Sequence, residues 1–202
     1  MMDEQNKKWL LTITQPKSKA CVETLQQILN PTPRWHPLYD KVVPYAIEAW
    51  GPLLVPEIHK GLLQTGNHAG MVARAAGLTQ QEELTSALIE AVSQWEAGGI
   101  TPYSQLRSLG IIGGDMAREF LLAASQRYLV SRDTMSLAAT AQALAYLGHP
   151  DCVTALETLA RESDTTLPSS EFSLKVKVAS GLGLARLDHS WGRGVIEQIL
   201  KG

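Results

Sequence analysis

Apolar residues recur along this chain at spacings of three and four, on stretches rich in Ala, Leu, Gln and Glu, while strand-like alternation is scarce. The pattern predicts helices. From Ser18 to Leu29, Val22, Leu25, Ile28 and Leu29 make one stripe, ended by Asn30-Pro31-Thr32-Pro33, where proline removes donors and fixes φ. Leu38 to Trp50 and Leu53 to Gln64 follow as a helix hairpin about Gly51-Pro52. Asn67 to Ala76 reads as a short helix. Thr79, with Glu82 three residues on, matches a capping box before Leu84, Ala87, Leu88, Ala91, Val92 and Trp95. Gly98-Gly99 stops that helix. A short helix is predicted from Pro102 to Leu109, a loop from Gly110 to Gly114, and a longer helix capped by Asp115 and running to about Val130. Asp133 to Leu147, Asp151 to Ala160, Leu174 to Leu187 and Gly192 to Leu200 complete roughly ten or eleven helices with short links, as a layered helical array requires.

The last two helix pairs match each other at an offset of 40 residues. Ala139, Leu144, Ala145, Leu147, His149, Leu156, Glu157 and Leu159 fall opposite Ala179, Leu184, Ala185, Leu187, His189, Ile196, Glu197 and Ile199. The shared unit is a helix ending in Ala-Leu-Ala-x-Leu, a tight polar turn, and a second helix with spaced aliphatic residues. With Ala141-Gln142-Ala143-Leu144-Ala145-Tyr146-Leu147-Gly148-His149-Pro150-Asp151, this stretch resembles the HEAT-repeat family. The likeness is greatest to its bacterial HEAT-like variety, in which Ala-rich first helices end in Leu-Gly-His-Pro or Leu-Gly-Asp-Pro turns. The resemblance covers Asp133 to Leu200. Trp50-Gly51-Pro52 with Val55, Ile58 and Leu62 echoes the same turn, and Gly66 to Gly114 departs from the period. It implies an all-α fold, an α-solenoid of stacked antiparallel helix pairs, with residues 1–202 as a single domain and 1–16 as an N-terminal segment. Each such pair has an apolar face that only its neighbours can bury. Ala138, Ala139, Ala141 and Ala143 are small enough to let helices approach closely.

Charge narrows the range of partners. The formal net charge is -2 and the basic residues are scattered singly, so the broad cationic face of a nucleic-acid binder is not expected. Cys21 and Cys152, far apart in sequence, suit buried thiols in a reducing compartment better than a disulfide. The apolar stretch Trp9 to Ile13 is too short for a secretory core, and no run approaches a membrane span, so a cytoplasmic protein is expected.

Searching for chemistry yields little. His36, His59, His68, His149 and His189 show no metal spacing, and His149 and His189 occupy equivalent turns where a ring nitrogen can serve free helix-end groups. Gly181-Leu182-Gly183-Leu184 begins like a dinucleotide fingerprint, but Arg186 stands where the third Gly belongs, so close helix packing is expected instead. Gly110 to Gly114 lacks the ending of a phosphate loop, and Glu82, Glu83, Asp115 and Glu119 have simpler roles at helix N-termini. No catalytic, cofactor or metal site is expected.

Recognition remains, and Trp191, Arg193, Arg118, Arg127 and Trp35 are the expected partner-binding residues, with Trp191 as the exposed anchor. On the helix that carries Arg118, Met116, Phe120, Leu121 and Ala124 are expected to face inward, leaving Arg118, Ser125 and Arg132 outside. The expected function is a non-enzymatic interaction module, an adaptor, assembly factor or toxin-neutralising protein that binds another protein. The resemblance also implies an alternative, a bilin lyase-like chromophore-handling factor. A HEAT-like DNA glycosylase is disfavoured by the near-neutral charge.

Overall fold

The computed structural model describes residues 55–63, 69–165, 167 and 171–201, and among them there is no strand. Residues 55–62 are helical, inside the predicted 53–64. Eight further helices follow: α1 (Ala69–Thr79), α2 (Thr85–Ala97), α3 (Tyr103–Ile112), α4 (Gly114–Ser131), α5 (Thr134–Leu147), α6 (Val153–Thr165), α7 (Glu171–Arg186) and α8 (Ser190–Lys201). The predicted helices at 18–29 and 38–50, the Pro-rich loop with Trp35, and Cys21 lie outside the described residues. What is described is all-α, and none of these helices is long and apolar enough to cross a membrane.

The central element is α5. Asp133 starts it, accepting from the Ser136 amide at 3.1 Å and from the Ser136 hydroxyl at 2.6 Å, so one side chain satisfies an orphan donor of the first turn. Ala-rich sequence continues it at little conformational cost. Gly148 ends it in the left-handed region at φ 57, where a residue without Cβ meets no penalty. Ser136 to Ala141 are buried without a break, together with Ala143 and Leu144. Such a helix must be covered on several sides, and it packs on α3, α4 and α7.

Contacts run from α1 to α3 to α5 to α7 as one row, while α2, α4 and α6 touch one another less extensively and cover it. The row is tight at particular small residues. A Cβ on Gly77 would stand 2.7 Å from the Ser108 hydroxyl, and one on Gly183 would stand 2.9 Å from the Ala145 Cβ. A methyl on Gly110 would overlap the Ala143 backbone itself. The expected packing role of Gly181 and Gly183 is therefore met, Gly181 lying against Val195 of α8. Around these contacts Leu106, Leu109, Leu137, Leu144 and Leu156 are fully buried, each stabilising the fold by about 1.5–3 kcal/mol relative to exposure.

Three local expectations change. The capping box at Thr79 is absent, because Thr79 closes α1 with its hydroxyl donating to the Ala76 carbonyl at 2.7 Å. Gln80 then turns the chain at φ 52, and Glu82 opens a short 3-10 turn ahead of α2. The loop predicted at Gly110 to Gly114 shrinks to Gly113, at φ 79. Gly110 is inside α3, where its missing side chain admits α5, and Asp115 lies in the first turn of α4 instead of capping it. Finally, on α4 Leu121 and Ala124 lie inward as expected and Phe120 is partly buried against the core, but Met116 and Ser125 exchange their expected sides. Ala117, Leu121, Ala124, Ser125 and Tyr128 are its buried stripe, and Met116 is 57% exposed. Ser125 is thus inside, its hydroxyl satisfied by the Leu122 carbonyl, and does not share an outer face with Arg118 and Arg132.

Gly110→Ala should lower stability by at least about 3 kcal/mol, because neither helix backbone can yield locally. Gly194→Ala, in α8 with nothing within 4 Å of the new methyl, should raise it by about 0.5–1 kcal/mol. Urea unfolding of the two variants checks the contrast.

Candidate functional site

Helices α3, α5 and α7 leave a groove of about 670 Å³ on their exposed face. Its floor comes from α7, where Leu174, Val178 and Leu182 share a side by their spacing of four, and from Ala145 of α5. Leu174 is 53% and Leu182 54% exposed, so this apolar strip faces solvent. Its walls are polar, with three cations among them: Tyr103 and Arg107 from α3, Gln142 and Tyr146 from α5, Lys175 and Arg186 from α7.

Hydrogen bonds between neighbouring helices fix these side chains. The Tyr103 hydroxyl donates to Gln142 Oε1 at 2.8 Å. Arg107 Nη2 donates to the Tyr146 hydroxyl at 2.9 Å, with its guanidinium carbon 5.4 Å from the Tyr146 ring centre, a cation–π arrangement. Arg186 Nη1 donates to the carbonyls of Ala145 and Tyr146, at 3.4 and 3.3 Å, which lack partners of their own at the C-terminal end of α5. Among the described residues neither arginine meets a carboxylate. Among the described residues of the groove the one acid is Glu171, which pairs with Lys175 at 2.7 Å, and this hydrogen bond holds the Glu171 carboxyl below its ordinary value and Lys175 above its own. What the arrangement offers is two ordered guanidiniums beside an exposed aliphatic strip.

Of the residues expected from sequence to bind a partner, Trp191, Arg193, Arg118 and Arg127 do not line this groove. Trp35 lies outside the described residues. Trp191 is not the exposed anchor expected, for it is partly buried against the core and Arg161 sits 5.1 Å over its ring. Gly192 lets this happen by bringing the start of α8 against the backbone of α7. Arg193 is exposed and pairs with Asp188 at 3.0 Å. Arg118 is only partly exposed and ties α4 to the turn before α6, meeting Asp115 at 2.8 Å, Asp151 at 3.4 Å and His149 Nε2 at 3.3 Å. His149 fulfils its expected turn role, accepting from the Asp151 amide at 3.2 Å. His189 approaches Glu157 at 3.4 Å.

Arg127 joins α4 to α2 through Glu96, at 2.8 Å, and Glu96 also accepts a short hydrogen bond from the Tyr128 hydroxyl. Burial, followed by the hydrogen bond to Glu96 and its charge, holds the Tyr128 phenol well above its ordinary value. At Cys152 burial likewise pushes the thiol up, in keeping with the buried thiol expected.

No family model, curated protein or solved structure matches the chain. The groove therefore stands on its own chemistry. Sequence reasoning missed it because its arginines and tyrosines carry no motif. A signal was nevertheless present: Arg107, Tyr146 and Arg186 lie 39 and 40 residues apart, as do Tyr103 and Gln142, so the repeat spacing places equivalent surface positions side by side.

Two measurements check these assignments. Trp191→Ala should cost about 2 kcal/mol in urea unfolding, whereas Arg193→Ala should change stability by less than about 0.5 kcal/mol. For Tyr128 the folded-state value is raised, so the neutral phenol's contribution is whole below the ordinary value of 10.0 and is lost as pH climbs from there toward the raised value. Between about pH 10 and pH 12, Tyr128→Phe should lose stability less steeply than the wild type.

Proposed function

We propose that the chain is a non-enzymatic binding module, a HEAT-like solenoid of stacked antiparallel helix pairs, that holds a protein partner on the face formed by α3, α5 and α7. The observation carrying this reading is the solvent-facing strip of Leu174 and Leu182, flanked by the ordered, carboxylate-free Arg107 and Arg186. Aliphatic surface rimmed by arginine and tyrosine is the composition of binding hot spots. Contacts along alternate helices, from α1 to α3 to α5 to α7, support the solenoid reading, since stacked pairs place every second helix in one row. An adaptor, an assembly factor and a toxin-neutralising protein of the cytoplasm all use such a surface.

A second reading, a chromophore-handling factor similar to bilin lyases, draws on the groove volume, which is that of a small-molecule site, and on two arginines suited to two carboxylates. Photocrosslinking separates the two. A benzophenone amino acid placed at Leu182 should give one discrete protein adduct in the native host, and the same probe at Val130, 86% exposed on α4, should give none. Equal adducts from both positions, or none from Leu182, would sink the protein-docking reading. A saturable visible-absorbance change on titration with biliverdin, abolished by Leu182→Asp, would favour the second.

A further inference from the structure

We infer that the partner segment held in this groove carries a carboxylate side chain next to an aliphatic one, and that Arg107 and Arg186, beside Tyr146, receive the carboxylate. The inference rests on the protein-docking reading of this face and specifies the chemistry of the occupant.

Charge complementarity is the first argument. Elsewhere on the described surface Arg118 meets Asp115 and Asp151, Arg127 meets Glu96, and Arg193 meets Asp188, while the exposed Arg132 and Arg161 meet no carboxylate among the described residues. Arg107 and Arg186 also lack an acid, and what sets them apart is that both line one groove. Their hydrogen bonds go to a tyrosine hydroxyl and to backbone carbonyls, neutral acceptors that orient a guanidinium without cancelling its charge. Arg107 also keeps its Nε buried with no acceptor at all. Two guanidiniums fixed in this way have already given up side-chain freedom, so an incoming carboxylate orders them at little further cost.

Apolar surface supplies the second. A bare inorganic anion would satisfy the arginines but leave Leu174 and Leu182 in water. A peptide presenting an acidic residue adjacent to Leu, Ile or Val covers both features together, and the groove spans three helices, room for several residues of partner chain. The Glu171–Lys175 pair at one edge adds no net charge, which concentrates the positive field at the two arginines.

A phage-displayed library of random short peptides, panned on the full chain, tests the inference directly. Enriched sequences are expected to place Asp or Glu beside an aliphatic residue. A fluorescein-labelled enriched peptide, followed by anisotropy, should bind Arg107→Gln at least about tenfold more weakly than wild type, and Arg107→Lys with a smaller loss because charge remains while the fork is lost. Leu182→Asp should abolish binding, and affinity should fall as salt rises. Arg186 also closes the end of α5, so Arg186→Gln is compared only alongside its thermal unfolding midpoint, and Arg107 carries the decision if that variant melts early. Peptides that depend on Leu182 but show a neutral or basic consensus, or that bind Arg107→Gln as tightly as wild type, would overturn the carboxylate inference and leave the docking reading intact. Enrichment of no peptide, or displacement of the labelled peptide by inorganic phosphate at matched ionic strength, overturns it as well, while the adduct at position 182 decides the docking reading independently.

Discussion

Close approach of helix backbones along the row α1, α3, α5, α7 is the constraint on which the rest of the structure depends. It occurs where Gly77 meets Ser108, Gly110 meets the Ala143 backbone, and Gly183 meets Ala145. Glycine within a helix costs up to about 1 kcal/mol relative to alanine, so three such positions, each in the last turn of its helix, need a compensating gain. That gain is dispersion and burial spread over the flanking side chains. Leu106, Leu109, Leu137 and Leu144 stay fully buried because the helices between them are close, and dispersion decays steeply over a fraction of an ångström. Separating one pair by the width of a methyl would loosen contacts on both sides of it.

The same closeness builds the groove. Tyr103 reaches Gln142, Arg107 reaches Tyr146, and Arg186 reaches the last carbonyls of α5 because adjacent helices of the row are near enough for direct hydrogen bonds between them. Arg186 does two things at once: it satisfies helix-end acceptors and holds a positive charge at the groove edge. Along the same side of α7, one and three turns before it, Leu182 and Leu174 stand where a solvated helix would carry polar residues. Packing therefore explains where the cations stand, but it does not explain why Leu174 and Leu182 are left in water. Their exposure, next to arginines that meet no carboxylate among the described residues, is what the docking proposal rests on.

Repetition was the most legible feature of the sequence, and the backbone reproduces it. Gly148 and Asp188, 40 residues apart, both adopt the left-handed conformation, at φ 57 and 56, and each is followed by a histidine in the turn. Asp188 does so without glycine's freedom, aided by the His189 amide donating back to the Leu184 carbonyl at 2.9 Å. Where repetition weakens, sequence reading erred. Thr79 had the spacing of a cap, but its hydroxyl donates to the preceding helix at Ala76 and accepts from the Gln81 amide two residues on, ahead of the 3-10 turn. The glycines after Leu109 looked like a loop because a run of glycine has the same composition whether it breaks a helix or admits a neighbour. On α4 the error fell on Met116 and Ser125: neighbouring positions differ by about 100° around a helix, and it is Ala117 in place of Met116 that faces inward, with Ser125 in the core.

By itself the sequence determined the helical class and the polar turns at His149 and His189, because these depend on local periodicity, capping and composition. Which arginines are matched by carboxylates, and that Trp191 packs under Arg161 instead of projecting outward, were decided only by tertiary structure. The groove belongs to the same category. Arg107, Tyr146 and Arg186 come from three helices and share a surface only once the helices have stacked, and no local pattern encodes whether a charged side chain will find an acid or be left for a partner.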